Sequence, residues 1–128
     1  MPHASNPASI PASSPTSSPS PSLFVPSDQR AWREVSPGVF FSTLRAHDHE
    51  HGETLLVRMT KGAHAPMHHH PGGEEAYLLS GALRVGAQRL TAGDYLWTPP
   101  GEHHDGLAEE ETLFLAVLPH GLRVTRQP

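Results

Sequence analysis

The chain of 128 residues contains no cysteine. That excludes a disulfide framework, thiolate chemistry and any metal module built on Cys ligands. It also lacks a cluster of positive charge: nine Lys and Arg stand against thirteen Asp and Glu, a formal charge of −4. Phosphate backbones are held by concentrated Lys and Arg, so no nucleic-acid surface is expected. There is no phosphate-binding loop and no dinucleotide fingerprint. No apolar run approaches the length that crosses a bilayer, so no membrane span is expected. The first residues show neither the basic start and apolar core of a secretory signal nor the arginines of a mitochondrial presequence. The cytoplasm is therefore the expected compartment.

What the chain does contain is unevenly distributed. Seven prolines and nine serines lie between Met1 and Ser27, with almost nothing apolar before Leu23, Phe24 and Val25. Such a segment buries too little surface to offset the entropy of ordering it. Residues 1–27 are expected to be a disordered or loosely packed arm, with Leu23 to Val25 its only contact with the fold. The remainder, 28–128, is one domain's length.

Within that domain the turn signals come close together, at Pro37-Gly38, Ser80-Gly81, Val85-Gly86 and Ala92-Gly93, with short apolar runs between them. Short strands, frequent glycine turns and no long helical period predict an all-β fold, a sandwich or a small antiparallel barrel. The runs Val39 to Leu44, Thr54 to Thr60 and Thr112 to Leu118 read as strands, the last apolar enough to be buried on both faces and to close the sheet. Leu83 to Leu90 reads as a hairpin turning at Gly86-Ala87, and Leu122 to Arg126 as a further strand or an arm. Trp32 is expected in the core or at the barrel mouth. Arg58 is expected to face solvent or a sheet edge, the alternative being that it points into the barrel as an anion clamp.

The chemistry is concentrated in the stretch GAHAPMHHHPGGEEAYLLSG, Gly62 to Gly81. Strand side chains alternate, so His68 and His70 share one face while Met67 and His69 share the other. Pro71, Gly72 and Gly73 are turn residues, and Glu74 opens the next apolar run, which lets its carboxylate swing back beside the two imidazoles. Two neutral nitrogens and one carboxylate are an open donor set for a divalent ion. Further on, GDYLWTPPGEHH ends a strand in a Pro-Pro-Gly turn that would present His104 as a fourth donor. A second histidine-rich stretch, AHDHEHG at Ala46 to Gly52, lies between two hairpin strands. Surface loops give imidazoles no fixed geometry, so solvated charge is expected there. His64 is placed in a loop.

The two stretches together resemble both signature motifs of the cupin superfamily. Gly62, His68, His70, Glu74 and Gly81 match the first, and Gly93, Pro99, Gly101 and His104 match the second. More narrowly, HHHPGGEEAYLLSG followed by AGDYLWTPPGEHH is similar to the ChrR-type cupin domain, found at the C-terminal end of some zinc-dependent anti-sigma factors and as free-standing proteins. The resemblance covers roughly Trp32 to Pro119. It implies a single small antiparallel β-barrel or jelly roll of RmlC-like type, with His68, His70, Glu74 and His104 as metal ligands. The cupin spacing selects His104 over His103 and Glu74 over Glu75. The asparagine often found four residues past the last histidine is Ala108 here, which removes one group that could steady the ligands.

If Glu74 points inward, Ala76 and Leu78 share its face, and Tyr77 and Leu79 pack outward. In the next strand either Tyr95 and Trp97 or Leu96 and Thr98 line the cavity. Outward apolar faces need covering, so a homodimer is expected. One divalent ion per chain, Fe, Zn, Ni, Mn or Co, would be held with one or two positions open to a ligand. Two functions then compete: a mononuclear non-haem dioxygenase acting on a small chelating organic molecule in the barrel, or a metal-holding regulatory or sensor module. No catalytic acid or base stands out beyond Glu74. The Pro/Ser-rich arm has none of the Cys and His ligands of the anti-sigma zinc domain, so direct sigma-factor binding is not expected.

Overall fold

The computed structural model describes residues 21–125. The greater part of the Pro/Ser-rich arm, 1–20, and residues 126–128 lie outside it. Of the arm's apolar triplet, Leu23 and Phe24 are exposed, and only Val25 is half-buried.

Among these residues eleven strands follow a short 3-10 turn at Ser27–Gln29: β1 (Arg33–Ser36), β2 (Val39–Ala46), β3 (Glu53–Met59), β4 (His64–His69), β5 (Glu74–Ser80), β6 (Ala82–Val85), β7 (Gln88–Thr91), β8 (Tyr95–Thr98), β9 (His104–Ala108), β10 (Thr112–Leu118) and β11 (Arg123–Val124). They form two antiparallel sheets, one ordered β1-β2-β3-β10-β5-β8 and the other β11-β4-β9-β6-β7. This is the jelly-roll arrangement of a cupin, with two facing sheets rather than a closed barrel.

The core lies between the sheets because strands such as β5 and β10 turn one set of alternate side chains inward. In β3 and β10, Leu55, Val57, Met59, Phe114, Ala116 and Leu118 are buried. Complete burial of a leucine such as Leu55 or Leu78 contributes about 1.5–3 kcal/mol of transfer free energy. In β5, buried Glu74, Ala76 and Leu78 alternate with exposed Glu75, Tyr77 and Leu79. The hairpin of β6 and β7 turns at Gly86-Ala87 as expected.

Three expectations need correction, and one strand was not foreseen. Thr112 to Leu118 does not close the sheet: β10 lies within it, paired with β3 and β5, with one face buried and the other half-buried. A strand apolar on both faces belongs where both its edges are paired. Trp32 is half-buried, with the Arg58 guanidinium 5.2 Å from its ring centroid and 4.5 Å from that of Phe40, so it covers a cation rather than plugging a mouth. His64 opens β4, and its Nε2 lies 2.8 Å from Asp105 Oδ2. The strand β1, Arg33–Ser36, has the burial pattern of an edge and no alternation to betray it. It is held by β2 and by the Gly38 amide donating to Glu34.

Candidate metal centre

The centre is built from both sheets. His68 lies near the end of β4 and is the register partner of His104, the first residue of β9. His70 follows β4 directly, and the Pro71-Gly72 turn returns the chain to Glu74, the first residue of β5 in the other sheet. The turn closes through the Gly73 amide donating to the His70 carbonyl. Gly73 has φ 84°, and a Cβ there would collide with the Trp97 ring, so β8 can close on this end of β5 only because the side chain is missing.

One donor nitrogen each from His68, His70 and His104 lies within 4.8 Å of the others. The rings stand edge to face, with centroids 4.8 Å apart for His68 and His70 and 4.7 Å apart for His68 and His104. Glu74 Oε1 is 3.2 Å from His70 Nε2 and 4.0 Å from His104 Nε2. His68 Nδ1 lies 2.7 Å from the Pro66 carbonyl, which only accepts, so Nδ1 carries the proton and Nε2 keeps its lone pair. Burial pushes the His68 imidazole below the ordinary histidine value, against the Pro66 hydrogen bond; positive charge on His70 or His104 would lower it further. Burial likewise lowers His104, with Glu74 opposing. Neutral imidazole is the form that binds metal.

These residues fit a divalent ion. Nδ1 of His70 and of His104 are buried without a hydrogen-bond partner, and His70 Nε2 has only the Glu74 carboxylate beside it, out of hydrogen-bond alignment. An unpaired buried donor or acceptor costs about 1–3 kcal/mol, and coordination through His70 would relieve part of that cost. Three neutral imidazoles with one carboxylate are the donor chemistry of first-row divalent metals.

Beside the imidazoles lies a cavity of about 190 Å³. His68, His70 and Glu74 form its polar end, and the rest is almost entirely aliphatic and aromatic, with Phe41, Leu55, Val57 and Phe114 from one sheet and Leu122 and Val124 from the C-terminal segment. That segment includes β11, whose two residues pair with His69 and His68. Two residues are too short to carry a periodic signal, so its place in the cavity wall was not legible beforehand.

The remaining candidates sort themselves by strand face. His69 and His103 stack on one another, centroids 4.6 Å apart at 20°, and His103 Nδ1 is 2.8 Å from the Thr125 hydroxyl; neither joins the donor group. Glu75 faces outward and accepts a 2.9 Å hydrogen bond from the Tyr95 hydroxyl. Tyr95 and Trp97 are exposed, so Leu96 and Thr98 are the pair turned inward. Ala108 is a buried core residue. In the loop His47 to His51, His47 Nε2 meets the Thr54 hydroxyl at 2.8 Å and Glu50 lies 3.5 Å from His120. Among the described residues, only His68, His70 and His104 form a group compact enough to hold an ion.

Comparison with known proteins agrees with this geometry. The family model of the ChrR cupin-like domain matches residues 20–121. No curated protein matches the chain. Among solved structures, the complex of SigE with the anti-sigma factor ChrR from Rhodobacter sphaeroides has 28% identity and a TM-score of 0.62. That match covers 68% of this chain and 47% of the matched one, so this chain spans about half of it. An RmlC-like cupin from Shewanella frigidimarina superposes with a TM-score of 0.68 at 21% identity, covering 79% of this chain and 93% of that one. An acetylacetone dioxygenase from Acinetobacter johnsonii gives 0.74 at 14% identity, covering 92% and 86%. The last two likenesses are of fold alone. No helix among the described residues is long and apolar enough to cross a membrane.

Proposed function

Because this chain belongs to the family of ChrR cupin-like domains, we propose that it holds one divalent metal ion on His68, His70, Glu74 and His104 and acts as a mononuclear dioxygenase on a small chelating organic molecule. The observation that carries this reading is the contact between donor set and cavity: an aliphatic chamber ends on His68, His70 and Glu74. A ligand seated there presents its polar atoms to the donors and its hydrocarbon to Phe41, Leu55, Val57 and Phe114.

A bound ion of this class supplies Lewis acidity and, as iron, one-electron chemistry with dioxygen. The chain's own contribution is to fix and to exclude. Pro66 fixes the tautomer of His68. Glu74 brings one negative charge against three neutral rings, which offsets part of the ion's charge in a poorly hydrated site. The apolar walls keep bulk water from a reactive centre and favour a ligand that is small and mostly hydrocarbon.

The test is elemental analysis of tag-free protein purified without chelator or a metal column, followed by oxygen uptake of iron-loaded protein with diketone and flavonol substrates. About one iron per chain with substrate-dependent uptake supports the proposal. Stoichiometric zinc with no uptake favours the second reading, a metal-holding regulatory module, for which the 28% identity to a chain of the SigE–ChrR complex speaks.

A second copy of the chain is the proposed cover for the outer face of β5 and β8. Tyr77, Leu79, Tyr95 and Trp97 are each more than two-fifths exposed there. Half-buried Leu113, Leu115 and Val117 of β10 continue the apolar surface. Leu79→Glu is expected to convert a dimer to a monomer in light scattering, with metal content unchanged.

A further inference from the structure

Resting on the metal reading above, we propose that Thr98 is a positioning residue of the centre: its hydroxyl, unpartnered in this structure, donates to the Glu74 carboxylate once an ion is held and keeps it in its coordinating orientation. Nothing in the two sequence motifs marks this residue; the fold does. The alternation of β8 turns Tyr95 and Trp97 outward and Leu96 and Thr98 inward, and Thr98 is 1% exposed.

The register then places it. Thr98 is the direct partner of Glu74 across the β5–β8 pair, and both side chains face the interior. Directly opposed residues on one face of an antiparallel pair have Cβ atoms about 4.5–5.5 Å apart, which a threonine hydroxyl and a glutamate carboxylate bridge easily. The strands cannot drift apart at this end. A Cβ on Gly73 would come within 3.0 Å of the Thr98 carbonyl oxygen and would meet the Trp97 ring, so the backbones are tightly apposed there.

Two observations bear on the chemistry. The Thr98 hydroxyl is buried and has no hydrogen-bond partner, a condition native interiors rarely tolerate without a reason. Glu74 directs Oε1 at His70 and His104, and a carboxylate has a second oxygen that can accept from a hydroxyl. A carboxylate with one oxygen fixed by a hydroxyl coordinates through the other and does not swing into a chelating or detached pose. Partners of this kind, acting on a ligand rather than on the ion, typically change metal affinity by about ten- to a hundred-fold.

The experiment measures Co²⁺ affinity of the full chain by chelator competition, with the Co²⁺ absorption spectrum as a report on coordination number. Thr98→Val keeps the shape and removes the donor; Thr98→Ser keeps the donor. The expected result is a ten- to hundred-fold loss for Thr98→Val, a changed Co²⁺ spectrum, and wild-type behaviour for Thr98→Ser. The metal-free melting temperature of Thr98→Val should equal or exceed the wild type's, because a buried unpaired hydroxyl has been removed. In a Glu74→Ala background Thr98→Val should have no further effect. Should Thr98→Val fold poorly, Thr98→Ala removes the same donor and carries the same expectation.

Wild-type affinity in both donor-less variants, or an equal loss with and without Glu74, overturns the role of Thr98 while leaving the metal centre standing. A wild-type chain that takes up no Co²⁺ overturns both.

Discussion

The chain has two histidine-rich stretches of similar composition, His47-Asp-His-Glu-His51 and His68-His-His70, and they have opposite fates. The first caps the β2–β3 hairpin, where most of its residues are exposed and its imidazoles meet a threonine hydroxyl or solvent. The second runs along the end of β4 and one residue past it, and its last ring, His70, is 1% exposed. Histidine content is therefore no guide to a site. What matters is whether a strand pair fixes the rings and burial removes the water that competes with a metal.

That contrast is broken most severely at the buried end. His104→Ala or His68→Ala is expected to abolish stoichiometric metal, read by elemental analysis, while replacing His49 and His51 with alanine should leave metal content at the wild-type level. Loss of metal in the loop variant with retention in His104→Ala would reverse the ligand assignment.

A second expectation concerns protons. The pKa values of His68 and His104 are lowered by burial, so below about 6.5 the unfolded chain binds more protons than the folded one. Stability of the metal-free protein should thus be full above that value and decline as pH falls towards the folded pKa values. Denaturant titrations at several pH values will show this, and the dependence should flatten in His68→Ala. A stability that rises on acidification would contradict the buried, neutral state of these rings.

The smallest effects sharpen the comparison within one stretch. His69 is the immediate neighbour of two proposed ligands, yet it stacks on His103 outside the centre. Aromatic pairs contribute about 0.5–1.5 kcal/mol beyond area burial, so His69→Ala and His103→Ala should each cost stability on that scale and retain full metal stoichiometry. Changes at His49 and His51 should stay within about 0.5 kcal/mol, as for other surface sites.

Much of this was legible in the sequence because period-two alternation carries the inward face of a strand. His68 against His69, and Glu74 against Glu75, follow from it together with the cupin spacing. Alternation alone could not orient β8, since Tyr95-Leu96-Trp97-Thr98 has plausible core residues on both faces. Pairing with β5 decides the matter, because inward Glu74 and Ala76 oppose Thr98 and Leu96. The edge strand β1 was the other gap. Arg33–Ser36 buries too little to show a pattern, whereas β11 falls within the stretch Leu122 to Arg126 read as a further strand or an arm.

Glu74 and the imidazoles stand on different sheets: His68 and His104 are cross-strand partners in one, and Glu74 opens a strand of the other. Anything gripped by all four residues is therefore a clasp between two leaves that otherwise meet through hydrocarbon contact and the hydrogen bonds of the Thr112 hydroxyl with the Ala82 backbone. Its fastening sets how far the leaves can part, and the chamber between them is where a guest must enter. Strength of the clasp and width of the doorway are then one variable, so a change in coordination would be felt at the rim as a change in admission.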